Sequence, residues 1–230
     1  MTGAESRGSG DATGRSNTLI VVGLAALANG AALVAHILVG FPLPLMLAVT
    51  WTVALVSVAA LSMTGDALGR AMVVRTVGIG LVAGILATIA YDVTKTILSQ
   101  LDPSPFNPFE ATRVFGTLLV GDAASPALIW VAGWAFHLAN GVMFGIAFAC
   151  LFVRFGRGSL RWGFVGGVAW GLFLETFMLS LYPGWLNVRF LDEFRQISFL
   201  SHLVFGAVLG LTVPRLLLRS TRGAGRNRGG

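Results

Sequence analysis

The chain has 230 residues, of which 55% are hydrophobic and only 11% charged, whereas a soluble domain carries roughly 25% charged residues. Too few charges remain to solvate a globular surface, so the composition describes a single all-α membrane domain with the lipid bilayer as its partner. The net charge of +6 is dispersed as separate arginines at the ends of apolar runs, which excludes the clustered aromatic and basic surface of a nucleic-acid binder. Cys150 is the only cysteine, which excludes an internal disulfide and a thiolate metal cluster.

Residues 1–17, rich in Gly, Ser, Thr and charge, cannot bury enough surface to fold and lack the pattern of a cleaved leader, so they read as a disordered tail. Apolar stretches then predict a polytopic bundle of about six transmembrane helices, near 18–39, 44–63, 73–98, 126–153, 160–182 and 196–216. Together they make one membrane domain over 18–216. Phe41-Pro42-Leu43-Pro44 makes the first connection tight. The long connection 99–125 begins with Pro103, Pro105 and Pro108, which oppose a regular helix. Its later part, Phe109 to Val120, is apolar with Glu110 and Arg113 on one side, as suits an interfacial or re-entrant helix. Residues 217–230 read as a second, basic tail.

With six spans, both tails share one side with the second and fourth connections. That side carries Arg7, Arg15, Arg70, Arg75, Arg154, Arg157, Arg161 and the five arginines from Arg215 onward, leaving Lys95, Arg113, Arg189 and Arg195 opposite. Such a bias predicts cytoplasmic tails under the positive-inside rule.

Small residues four apart share a helix face and let another backbone approach closely. The third span has Gly80, Gly84, Thr88, Asp92; the fourth Gly133, His137, Gly141, Gly145; the fifth Gly163, Gly167, Gly171, Glu175; the sixth Ser198, His202, Gly206, Gly210. The first offers a looser version in Ala28, Ala32, His36 and Gly40. Each stripe contains one ionisable group, and the direction of each helix puts all five in the extracytoplasmic half. His137-Leu138 with Gly141 and Gly145 also repeats as His202-Leu203 with Gly206 and Gly210, which points to a duplicated helical hairpin in parallel orientation.

A histidine inside a bundle is often only a hydrogen-bond partner, contributing about 0.6 kcal/mol. A carboxylate is different, because an isolated one in hydrocarbon costs about 2.5–3.5 kcal/mol and usually belongs to a site or a pair. Asp92 has Lys95 three residues on as a local partner, a pairing that would make both structural. Glu175 has no basic neighbour within a turn, so its expected partner is His202 or His137. The candidate catalytic set is therefore Glu175, His202, His137 and Asp92, with His36 a weaker fifth member; no metal is expected and no cofactor is specified. Tyr91 and Tyr182 read as interfacial anchors. Asn140 either orients a ligand or satisfies a neighbouring helix. Asp92, His137, Glu175 and His202 are expected to line one polar cavity; Asp192, Glu193 and Arg195 read as a solvated cluster, with Glu193 placed to cap that cavity.

The chain has no Walker loop, no His-Glu-x-x-His zinc motif and no Gly-x-Ser-x-Gly elbow. From Tyr91-Asp92 through the paired His-Leu-x-x-Gly-x-x-x-Gly stripes, roughly residues 75–215, it resembles uncharacterised families of small bacterial multi-pass inner-membrane proteins. The resemblance implies a helical bundle in the cell membrane and carries no activity. Three functions fit the residues. One is an intramembrane acid–base enzyme that cyclises or isomerises an isoprenoid or lipid. A second is a proton-coupled transporter, which at this size calls for a homo-oligomer. The third is a non-catalytic membrane protein, including a haem binder that uses His137 and His202.

Overall fold

The computed structural model describes residues 17–64, 66–103, 107–156, 158–177 and 191–226. Within these the chain forms eight helices: α1 (Asn17–Ala25), α2 (Ala28–Val39), α3 (Leu43–Thr64), α4 (Ala67–Leu101), α5 (Glu110–Val120), α6 (Pro126–Phe155), α7 (Leu160–Glu175) and α8 (Leu191–Arg226). Their starts follow local chemistry. Asp66, Ser125 and Ser159 each accept a backbone N–H three residues on, satisfying a donor that the first turn leaves open. Pro126 begins α6, where its missing N–H costs nothing. Gly40, at φ 79°, ends α2 in the left-handed region.

Four helices, α3, α4, α6 and α8, are long and apolar enough to cross a membrane, and α1 with α2 makes a fifth if the bent pair is one span. The predicted first span is thus broken. A tight turn in which Leu27 N–H donates to Leu24 at 3.0 Å interrupts the ladder, and the two parts meet at 53°. Beside the break, buried Asn29 accepts from the Trp51 indole of α3 at 2.8 Å. The predicted fifth span is represented by the 16 residues of α7, and its remainder, 178–182, lies outside the described residues. Of the predicted tails 1–17 and 217–230, residues 1–16 and 227–230 also lie outside them. Residues 217–226, read from sequence as tail, continue α8 as helix.

Glycines set the packing order. A β-carbon on Gly84 would lie 2.8 Å from the Gly141 carbonyl oxygen, and one on Gly80 2.5 Å from the Ile146 α-carbon, so α4 and α6 touch backbone to backbone. On α7 and α8, Gly167 and Gly206 each occupy the space a β-carbon on the other would need. α4 packs on α8 as well as α6, and α5 lies against α6. There Gly116 and Gly133 admit the backbones of Ile129 and Thr112. The core between these helices holds Ala83, Ala87, Phe144, Phe148, Leu209 and Val213. By contrast α3 turns most of its apolar surface outward, as a lipid-facing helix does.

Candidate functional site: two carboxylate–imidazole pairs

Both close helix pairs are antiparallel and share one register. Gly80, Gly84, Thr88 and Asp92 of α4 run against Gly145, Gly141 and His137 of α6, and Gly163, Gly167, Gly171 and Glu175 of α7 run against Gly210, Gly206 and His202 of α8. The same spacing ends each interface in a carboxylate opposite an imidazole. His137 Nε2 lies 2.8 Å from Asp92 Oδ1, and His202 Nδ1 lies 2.8 Å from Glu175 Oε2.

The second pair is the better enclosed. Glu175 is only 2% exposed, and the Ser198 hydroxyl donates to its Oε2 at 3.1 Å. A chain of hydrogen bonds runs to that oxygen: the Lys95 ammonium donates to the Tyr91 hydroxyl at 3.3 Å, Tyr91 lies 3.3 Å from Ser198 Oγ, and Ser198 donates to the carboxylate. Tyr91 links the two units, since its ring packs against both imidazoles, with centroids 5.8 Å from His137 and 4.8 Å from His202. In the first pair, the side chains of Asp92 and His137 retain 20% and 17% exposure, and the Trp134 edge meets the His137 ring.

Between α4, α5, α6 and α8 lies a cavity of about 80 Å³, walled by Phe109, Phe115, Phe144, Phe194 and Phe205. Its polar lining is Tyr91, Lys95, His137, Asn140 and His202, together with Thr88 and Thr112. Neither carboxylate lines it. Asp92 and Glu175 stand behind their imidazoles and orient them, and each ring is left with a second nitrogen that has no partner among the described residues.

The four-residue candidate set therefore meets as two pairs, of which only the two imidazoles line the cavity. His36 does not join: its Nδ1 bonds the Phe41 carbonyl at 2.6 Å and closes the α2–α3 turn. Other expectations are corrected. Lys95 is not the partner of Asp92; its ammonium turns inward over the Phe194 ring, 4.3 Å from the centroid, and is 3% exposed. Asp92 prefers an imidazole reachable across the close α4–α6 contact. Tyr91, read as an interfacial anchor, is buried at the centre of the site, because the glycine contact of α4 with α6 and the packing of α8 on α4 close over it. At the start of α8, Phe194 rather than Glu193 reaches the cavity. Asp192 and Arg195 lie 4.0 Å apart, and Asp192 is largely exposed. Tyr182 lies outside the described residues. The signal for Ser198 was already in the stripe, one turn before His202; for Lys95 it was only the rarity of an ammonium in so apolar a helix.

Among the described residues no three His, Cys, Asp or Glu side chains converge as a metal-binding group. No protein-family model matches the chain, and no curated protein or solved structure matches it.

Proposed function

We propose that the chain is an intramembrane acid–base enzyme that isomerises or cyclises an apolar isoprenoid or lipid, with His202 and His137 as the groups that exchange protons with substrate. The observation that supports it is the shared arrangement of both imidazoles, each facing one aromatic cavity with a carboxylate behind it. Glu175 and Asp92 are positioning residues in this reading. Two carboxylates set against one lysine leave a single negative charge, and a water-poor site is least costly when neutral. One proton divided between two imidazoles closes that balance, so one histidine is the acid while the other is the base.

The chemistry is redox neutral. A protonated His202 delivers its cavity-facing proton to an alkene carbon, and the π pair becomes the new C–H bond. The resulting cation is stabilised by the rings of Phe144 and Phe205, which line the cavity and do not carry the Lys95 ammonium. It then loses a neighbouring proton to His137, either directly or after a second alkene has closed a ring on it, and that C–H pair becomes the new double bond. The site then holds the same single proton on the other histidine.

The haem reading fits less well. The Tyr91 ring packs on both imidazoles, in the space that a macrocycle held between them would need. In the membrane we take α1 with α2 as the first of six spans and α7 with the residues after it as the fifth, with both tails cytoplasmic on the arginine bias. Reporter fusions at Glu5 and Gly225 should then both report the cytoplasm, and opposite locations would remove that topology.

The function is tested by incubating the reconstituted protein with lipid extract in D₂O and reading carbon-bound deuterium by mass spectrometry. One lipid class should gain deuterium with the wild type and not with Glu175→Gln. Wild-type protein that labels no lipid but drives proton-dependent solute uptake would replace the enzyme by a transporter.

A further inference from the structure

One polar group in the cavity lacks a partner. Asn140 is 6% exposed, lines the cavity one helical turn from His137, and its side-chain oxygen has no hydrogen-bond partner among the described residues. A buried acceptor in that state is costly, and its neighbours do not relieve it. The Thr88 hydroxyl is committed to the Gly84 carbonyl at 2.8 Å, and Ser198 to Glu175. The same cavity is lined by Lys95, which uses one donor on Tyr91 and sits over aromatic faces. An ammonium has three donors, so Lys95 has donors to spare for a ligand.

We propose that the cavity binds the hydroxyl group of an apolar ligand, accepting from Lys95 and donating to the Asn140 oxygen. A hydroxyl is the smallest uncharged group that both accepts and donates, and a few tens of Å³ hold it with the adjoining carbons. A carboxylate or phosphate head is disfavoured on two counts. It offers Asn140 no proton, and it adds negative charge beside Asp92 and Glu175. The aromatic walls receive the first part of the chain. This narrows the substrate class of the proposed enzyme and rests on that reading for its chemistry, although the binding preference can be measured without turnover.

The test uses purified protein and four probes: farnesol, farnesyl methyl ether, farnesoic acid and a diacylglycerol. Binding is read by native mass spectrometry and by thermal shift. Farnesol or the diacylglycerol should bind roughly tenfold or more tightly than the ether, which accepts but cannot donate, and the acid should be weakest. Preference for farnesol would assign a prenyl alcohol, and preference for the diacylglycerol a glycerolipid hydroxyl. Asn140→Leu should erase the preference for the alcohol over the ether while raising the melting temperature of the ligand-free protein, since it removes the unsatisfied acceptor. A wild type that binds the ether or the acid as tightly as the alcohols, or binds none of the four, overturns the hydroxyl site. So does an Asn140→Leu variant that keeps the preference. Deuterium labelling of a hydrocarbon without alcohol preference would leave the enzyme standing and remove only this inference; alcohol preference without labelling would do the reverse.

Discussion

The α4–α6 and α7–α8 hairpins carry one plan with two finishes. Each brings glycines together along its length and closes on a carboxylate–imidazole pair, yet the Asp92 side chain keeps 20% exposure where that of Glu175 keeps 2%, the two imidazoles being alike at 17% and 15%. The difference lies one turn before each histidine. In α8 that position is Ser198, whose hydroxyl fills the space and binds Glu175; in α6 it is Gly133, which instead admits the backbone of α5 at Thr112. Ser198 thus ties the second pair to its own hairpin, while Gly133 leaves the corresponding place on α6 to the backbone of α5. The proton-exchange reading needs this asymmetry, because two identical pairs would give no direction to the proton.

The shared plan is broken most severely at its glycines. Gly206→Leu and Gly145→Leu should each prevent recovery of folded, monodisperse protein in detergent, because the colliding atoms belong to backbone and cannot swing aside. Gly78→Leu, where a β-carbon meets nothing within 4 Å, should leave the melting temperature almost unchanged. Equal loss at all three positions would mean that bulk anywhere is rejected and that the hairpins are not the organising contacts.

The two carboxylates should then separate by function. Glu175→Gln is expected to lower deuterium labelling by about 100-fold or more, the scale of a misplaced general acid, with a cooperative melt retained and partial rescue by Glu175→Asp. Asp92→Asn should cost only about tenfold, since its pair is the less enclosed of the two and the amide oxygen still accepts a hydrogen bond from His137. The reverse order would place the working acid on α6. Ser198→Ala has a smaller effect, about 1 kcal/mol of stability for the lost hydroxyl bridge, and should bring labelling by the second pair closer to that of an open one.

The stripe spacing made the two hairpins and four of their polar ends legible in the sequence, because period and residue size are local properties. That His137 and His202 stand at one level of the bundle was legible too, since helix direction follows from order. Partners were not. Asp92 and Lys95 satisfy a helical pairing rule by sequence, but the geometry is decided by which helix arrives within reach, and the glycines of α6 bring His137 there first. Tyr91 was misread for the same reason: an aromatic near a predicted span end reads as an anchor until the neighbouring backbones are known to close over it. The break at Leu27 gave no signal either, having no proline or glycine at the turn itself.

The smallest expected effect concerns the hairpin that lacks the plan. α2 and α3 also meet tightly, and α2 carries a histidine in a small-residue stripe, but no carboxylate stands opposite it. Its Nδ1 is spent on the Phe41 carbonyl, an acceptor that the end of α2 would otherwise leave to the connection. His36→Ala should therefore cost about 0.6 kcal/mol of stability, the average for a polar contact in a membrane bundle, and leave deuterium labelling within twofold of wild type. A large loss of labelling without loss of stability would draw the first hairpin into the proton path. An imidazole would then suffice without a carboxylate behind it, and the contrast between the paired and unpaired histidines would lose its functional meaning.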